Sequence, residues 1–188
     1  ITDNLYGVDL MEEATEIAKL RLFMTLVASA KTVDELEPLP NIDFNILAGN
    51  SLIGLMRVDD AEFEEWQRTK DKTGNLFAPH KTYREILDER DRKVETYKHA
   101  SGYTDDLGSL RKEVEEVEEE ARPILAQLLE QAFDDLGVKV EQATWDEKKW
   151  DLGKPKKRGV NAKDVGILKP FHWGFEFDQI LHQRGGFD

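Results

Sequence analysis

The chain has 188 residues, enough for one domain with a hydrophobic core but too few for two large ones. Its 39 Asp and Glu residues outnumber 26 Lys and Arg residues, and the formal net charge of −13 excludes a surface that binds nucleic acid throughout. The absence of cysteine excludes disulfides and thiolate metal sites, and it is typical of proteins in the reducing cytoplasm.

The first sixty residues carry the pattern of a βαβ unit. Residues 5–10 and 44–49 are short apolar runs, which is typical of buried strands. The segment from Glu12 to about Ala30 lacks Gly and Pro and has apolar residues on nearly every side, which predicts a helix covered on more than one face. We therefore expect a parallel strand pair with a right-handed crossover.

The middle of the chain predicts an antiparallel helical hairpin. Charged residues dominate between Asp59 and Asp135, but apolar residues recur at helical spacing in two series. The first series is Tyr83, Leu87, Val94 and Tyr97; the second, spaced like a coiled-coil seam, is Leu110, Val114, Val117, Ala121, Ile124 and Leu128. Gly102 and Gly108 lie between the series and predict a turn. Pro123 is expected to kink the second helix or to begin a new segment.

The last fifty residues predict less regular structure. The polar stretch around Trp145 and Trp150, with the basic run from Lys154 to Arg158, predicts a loop or short irregular structure. An aromatic segment follows, and a short helix leads towards Gly185. Within that segment His172 is expected to pack rather than to catalyse. Its neighbours are read first as core and only second as a platform for a base; they are Trp173, Phe175 and Phe177.

Two polar residues end the predicted strands, at the edge where open α/β sheets bind ligands. The carboxylate of Asp9 can accept hydrogen bonds from both hydroxyls of a ribose, or it can cap the helix that begins near Met11. The amide of Asn50 can contact the edge of an adenine ring, or it can serve as a turn or cap asparagine. Spacing alone leaves both alternatives open.

Four segments, Tyr6–Phe23, Leu39–Gly54, Pro170–Trp173 and Gly185–Asp188, carry a specific resemblance. In this order they resemble the methylase core of type IIG restriction enzymes and related phage-defence DNA adenine methyltransferases, over roughly half of the chain. The resemblance implies a class I, Rossmann-like methyltransferase fold. It also implies S-adenosylmethionine as cofactor, double-stranded DNA as partner, and methyl transfer to N6 of a flipped adenine.

The resemblance also implies roles for the strand ends. In that family the strand-end acid binds the ribose hydroxyls of S-adenosylmethionine, a role that would fall on Asp9, with Leu10 and Met11 lining the adenine. The residue after the glycine of the next strand contacts the adenine amino group. That role would fall on Asn50, with Ser51 and Leu52 beside it. Many relatives have Asp at that place, but an amide oxygen can also accept from an exocyclic amine.

Two family elements fall outside the chain. The glycine-rich loop would precede Ile1, and the Asn-Pro-Pro-aromatic loop that holds the target adenine would follow Asp188. We therefore expect an internal fragment of a longer polypeptide that is inactive alone. Such a fragment would expose apolar surface and an open strand edge, and it would tend to self-associate. No apolar run approaches the roughly 20 residues of a membrane helix, so we expect a soluble, cytoplasmic chain.

Three segments result: residues 1–58 in the cofactor-binding core, residues 59–160 as an inserted, mostly α-helical hairpin with a basic loop, and residues 161–188 as a return to the core. The insertion could clamp DNA, contact another domain or a partner, or act as a passive spacer. Four basic residues could contact DNA phosphates or be solvated surface: Lys154, Lys156, Lys157 and Arg158. The alternative function is a non-enzymatic coiled-coil interaction module whose strands only anchor it.

Overall fold

The structure is a computed structural model that describes residues 4–32, 41–70, 81–100, 106–143, 145–146, 150–152 and 154–187. Its helices are α1 Glu12–Ser29, α2 Asp60–Lys70, α3 Tyr83–His99, α4 Leu107–Asp135, α5 Ala162–Ile167 and α6 Trp173–Glu176, followed by a π-helical turn at Gln179–Gln183. Its strands are β1 Gly7–Asp9, β2 Ile46–Ala48, β3 Lys139–Gln142, β4 Trp145–Asp146, β5 Asp151–Leu152 and β6 Lys156–Gly159. None of the described helices is long and apolar enough to cross a membrane.

The predicted parallel strand pair is confirmed. β1 and β2 flank α1 along the chain and pair in parallel, with Gly7 opposite Ile46 and Asp9 opposite Ala48. Each strand is shorter than its apolar run. Just before β2, Asn45 accepts from the Gly7 amide at 2.8 Å, and its side chain donates to the Leu5 carbonyl at 2.9 Å. The larger Rossmann-like sheet stays a prediction.

Helix α1 forms as predicted, but the described residues do not cover it on more than one face. Thr15 is its buried residue, whereas Ile17, Leu20 and Met24 are more than half exposed. Among the described ranges, β1 pairs with β2 and with no strand on its other edge. The predicted apolar surface and open strand edge are therefore confirmed.

The antiparallel hairpin of α3 and α4 is also confirmed. Lys81, just before α3, forms an ion pair with Glu120 of α4, while Lys93, later in α3, pairs with Glu113, earlier in α4. The contacts thus run in opposite directions along the two helices. Most of the predicted seam is buried, and Leu110 at its start is half-buried. The buried seam residues are Val114, Val117, Ala121, Ile124 and Leu128.

The core around α4 has more contributors than a two-helix coiled coil. Phe63 of α2 and Phe175 of α6 are both buried in it, together with Tyr83 and Leu87 of α3. Leu55 and Val58, from the loop before α2, pack against its edge. Residues from all three predicted segments therefore share one hydrophobic core.

One detail of the predicted hairpin is wrong, and one of the two alternatives for Pro123 is excluded. Gly108 lies inside the first turn of α4, where the Asp106 side chain accepts a hydrogen bond from the Ser109 amide, rather than in a turn between the helices. Gly102 lies outside the described residues. Pro123 begins no new segment, since α4 continues through it to Asp135, and the alternative of a kink stays a prediction. Buried neighbours on both sides, Ala121 and Ile124, hold the helix in place despite the amide hydrogen bond that proline lacks.

The predicted loop at Lys154–Arg158 is wrong from Lys156 onwards. β6 pairs antiparallel with β3, with Arg158 opposite Val140 and Lys156 opposite Gln142. The guanidinium of Arg158 donates to both carboxylate oxygens of Asp164 in α5, at 2.6 and 2.8 Å. The sequence did not predict this strand because its side chains are polar on both faces, whereas strand prediction relies on an apolar face.

One buried guanidinium joins three helices. Arg90 of α3 is 3 % exposed and donates from Nε to Glu118 of α4 at 3.1 Å. Its Nη2 donates to the Glu176 carboxylate of α6, and its Nη1 donates to the Glu176 carbonyl at 3.1 Å. The Cζ atom of Arg90 lies 5.3 Å from the centroid of the Phe175 ring. Burial raises the pKa of Glu176 to about 7, with Glu118 adding to the rise and Arg90 opposing it.

A second contact fixes the C-terminal end of α3. The side-chain amide of Asn41 donates to the carbonyls of Tyr97 and Ala100, at 2.7 and 2.9 Å, and so satisfies groups that a helix end leaves unpaired. The Tyr97 hydroxyl donates to Asp43, and its ring packs edge-on against Phe44. The loop before β2 is thereby attached to the helical part.

We predict that Arg90→Met lowers the free energy of unfolding by about 3–5 kcal/mol, because it removes the buried cation from Glu176 and leaves Glu118 with the exposed Arg122 as its partner. Urea denaturation measures the change. Arg68→Met is the matched control, since Arg68 is 70 % exposed and its ion pair with Glu64 is long, at 3.5 Å. It should cost about 1 kcal/mol or less. Equal losses in the two variants would contradict the structural role of Arg90.

The raised pKa of Glu176 predicts a pH dependence. The unfolded carboxyl releases its proton near pH 4.5 and the folded one near pH 7, so the folded state holds more protons between these values. The contribution of Glu176 to stability therefore falls as the pH rises through this window. Glu176→Gln has no carboxyl group to titrate. Urea denaturation at several pH values should therefore show the free energy of unfolding of the variant rising, relative to that of the wild type, from pH 4.5 to 7. A relative loss over that window would instead mean that Arg90 keeps the carboxylate ionised.

Candidate functional site

The two predicted site residues at the strand ends lie at the same edge of the sheet. Asp9 ends β1, Asn50 follows β2 by two residues, and the Gly49 amide donates to the Asp9 carbonyl at 2.8 Å. Because the pair is parallel, both loops leave the sheet from its carboxyl edge. The structure thus brings together the two loops that the sequence singles out.

Asp9 closes a short turn just before α1 and stays accessible; the cap residue of the helix is Met11, and no side chain caps the first-turn amides. Its Oδ1 accepts from the amide of Met11, the residue before α1, at 2.8 Å, and the residue is exposed. Leu10 and Met11 are 53 % and 59 % exposed. A carboxylate has more acceptor sites than one amide uses, so Asp9 can bind a further donor while it holds the start of the helix.

Asn50 adopts the turn alternative. Its Oδ1 accepts from the Leu52 amide at 3.2 Å, which closes a short loop after β2. The carbonyl of Ser51 accepts from the indole Nε1 of Trp173 at 3.0 Å, and the Leu52 side chain is 94 % exposed. The turn therefore holds Asn50 in place and presents an apolar side chain at the strand edge.

The segment Pro170–Trp173 lies alongside this loop. The Asn50 amide donates to the Lys169 carbonyl at 2.7 Å, and the Phe171 amide donates to the Ile53 carbonyl at 2.8 Å. Gly54 has a φ of +152°, and a Cβ there would lie 1.9 Å from the carbonyl oxygen of Phe171. Only glycine lets the two backbones approach so closely.

His172 is a packing residue, as predicted. It is 9 % exposed, and burial lowers its pKa to about 4, so the ring is neutral at physiological pH. Its Nδ1 accepts a long hydrogen bond, 3.4 Å, from the Leu55 amide. Among the residues that the structure describes, no group of three His, Asp or Glu side chains could hold a metal ion.

An aromatic cavity of about 360 Å³ opens beside the strand ends. Phe177 is buried with Phe171 and Ile180 in a second hydrophobic cluster, as predicted for the aromatic segment, and Val8 and Trp173 pack against it. Sequence reasoning missed the other aromatic walls, Tyr6 and Phe187, whose rings lie 5.9 Å apart. The sequence offered one indication for Tyr6: it precedes Val8 by two residues, and residues two apart lie on the same face of a strand. The lining residues are Tyr6, Gly7, Val8, Ser51, Trp173, Phe177 and Phe187.

The chain is similar to a known protein. That protein, of Methanocaldococcus jannaschii, is named "putative type II restriction enzyme and methyltransferase" and is 28 % identical over 210 aligned residues. The alignment covers 98 % of this chain and 17 % of that protein, so the chain spans about a sixth of its relative's length. No family model and no solved structure matches the chain.

The four predicted phosphate-contacting residues lie apart from the strand-end loops in sequence, on or just before β6. Lys154, Lys156 and Lys157 are exposed, whereas Arg158 is half-buried. Hydrogen bonds from Arg158 and from the Asn161 amide lower the pKa of Asp164 to about 2. The charge of Arg158 is thus compensated within the chain.

We predict that Gly54→Ala destabilises the fold and displaces the return segment from the Asn50 loop. The added Cβ cannot coexist with the Phe171 carbonyl, and the φ of Gly54 disfavours other residues, so we expect a loss of about 2 kcal/mol or more. Thermal unfolding measures the loss, and tryptophan fluorescence reports on Trp173. Gly166→Ala in α5, where a Cβ meets nothing within 4 Å, is the control and should be neutral or slightly stabilising. Indistinguishable melting of the two variants would contradict the close approach.

Proposed function

We propose that the chain is the part of an S-adenosylmethionine-dependent DNA adenine-N6 methyltransferase, from a restriction-modification system, that supplies ribose and adenine contacts to the cofactor. The observation that supports this most is the parallel pair that places Asp9 and Asn50 at one sheet edge. The methyltransferase named among the similar proteins supports the same class. Double-stranded DNA and the rest of the longer polypeptide are then the partners.

The residues at this edge suit the cofactor. Asp9 is exposed and can accept from ribose hydroxyls, and its bond to the Met11 amide orients the carboxylate. Three apolar side chains, Leu10, Met11 and Leu52, are each more than half exposed around the edge. Apolar groups gathered at a ligand-binding edge gain free energy when a flat ring such as adenine covers them.

The amide of Asn50 has a second task in this proposal. Its oxygen already accepts from the Leu52 amide and has a further lone pair for the adenine amino group. Ser51 lies beside it, with its carbonyl held by Trp173. S-adenosylmethionine, when bound, supplies the activated methyl group. We assign no group of this chain to the target adenine, so the fragment alone is expected to be inactive.

The second candidate is a non-enzymatic interaction module built on α3 and α4. The shared, well-buried core around α4 favours it, since that core would persist without any ligand at the strand edge. The two candidates differ in one measurable property, which is affinity for S-adenosylmethionine.

Calorimetric titration of S-adenosylmethionine into the full-length protein tests the proposal. We expect Asp9→Ala to weaken binding by at least tenfold, about 1.4 kcal/mol, because the ribose loses its acceptor. Asp9→Asn keeps one acceptor for the Met11 amide and should fall between the wild type and Asp9→Ala.

Asp59→Ala is the matched control. Asp59 also accepts backbone amides at a helix start, from Ala61 and Glu62 at 2.9 and 3.1 Å, but at the start of α2 rather than at the strand edge. It should lose stability of about 1 kcal/mol without losing affinity. A wild-type protein that binds no cofactor would favour the interaction module.

A further inference from the structure

Positive charge is concentrated in one short segment of this acidic chain. Residues 138–163 contain eight Lys or Arg and four Asp or Glu residues, a net charge of +4, whereas the whole chain carries −13. A basic segment on an acidic protein is an electrostatic footprint for a polyanion, since the rest of the surface repels one.

The structure places four of these basic residues on a two-stranded ribbon: Lys139, Lys156, Lys157 and Arg158. We call β3 and β6 together the basic ribbon; their residues are Lys139–Gln142 and Lys156–Gly159. The antiparallel register places Lys139 and Lys157 on one face and Lys156 on the other, because side chains alternate along each strand. Lys154 lies just before β6. All four lysines are exposed.

The lysines of the ribbon are exposed, whereas its arginine is half-buried and engaged within the chain. Arg158 is saturated by Asp164 and by the Gln142 side-chain oxygen, the latter at 2.5 Å. Lys157 has a loose ion pair with Glu141 at 3.8 Å, and both side chains are at least 60 % exposed. Exposed pairs of this kind are weak, so Lys157 can exchange Glu141 for another anion.

We propose that the basic ribbon binds the phosphate backbone of duplex DNA through Lys139, Lys154, Lys156 and Lys157. The choice of DNA rests on the proposed function. Lysine ammonium groups bind phosphates as point charges, and a two-stranded ribbon fits the major groove of B-DNA. Opposite Lys139 stands Gly159, which has no side chain, so this face presents little bulk to an approaching duplex.

The contact is independent of base sequence. The groups that could read base edges are already engaged, since Arg158 binds Asp164 and the Gln142 oxygen accepts from Arg158. An acidic protein partner would fit less well, because protein interfaces use apolar anchors at their centre. The apolar residue on the paired strands, Val140, is half-buried beside Arg158.

The test compares the full-length wild type with the double variant Lys156→Gln/Lys157→Gln. Fluorescence anisotropy measures binding to two duplexes of unrelated sequence between about 0.05 and 0.2 M salt. We expect the slope of log affinity against log salt to become shallower by about 2, since each lost phosphate contact removes about 0.9. At physiological salt the affinity should fall roughly tenfold or more, equally for both duplexes.

The control is Arg68→Gln/Lys112→Gln, which removes two positive charges from exposed positions on α2 and α4. It should leave the salt slope unchanged. An unchanged slope in the ribbon variant, or a loss confined to one duplex, would overturn the proposal, as would binding of heparin without binding of duplex DNA. A wild type that binds DNA in this way but not S-adenosylmethionine would leave the ribbon assignment standing and remove the methyltransferase proposal.

Discussion

The ionic contact of Arg90 with Glu118 and Glu176 is the constraint on which the arrangement of this chain depends. Burying a guanidinium is unfavourable unless its charge and donors are satisfied, and here they are satisfied only when three helices come together. α3 brings the arginine, α4 one carboxylate and α6 the other. The directional requirement of these bonds selects one packing of the helices, whereas the apolar core around them would tolerate several.

This contact extends to the strand edge. α6 follows directly on Pro170–Trp173, the segment that runs beside the Asn50 loop. The glycine at position 54 and the indole of Trp173 fix the spacing between that segment and the loop. The helical part is therefore built into the surroundings of the candidate cofactor site and is not a spacer joined to it by loose connections.

Most of the correct predictions rest on patterns between residues that are close together in the sequence. The parallel strands, α1, the α4 seam and the packing role of His172 follow from apolar periodicity and neighbouring residue types. α2 was not predicted, because Phe63 and Trp66 are its main apolar residues in a charged helix. The β3–β6 pairing and the Arg90 contact were also not predictable, since both join polar residues distant in sequence. At the strand edge the sequence could not choose between a local turn and ligand binding for Asp9 and Asn50. Both side chains accept a hydrogen bond from a nearby backbone amide, and their binding role stays a prediction.

Asn41 gives the helical part a mechanical role. Its amide fastens the end of α3 to the loop that leads into β2, and β2 leads in turn to Asn50. With 17 residues, α3 acts as a rigid lever about 25 Å long. A displacement of α3 along its axis would therefore strain the loop that leads into β2, because the two Asn41 hydrogen bonds join them.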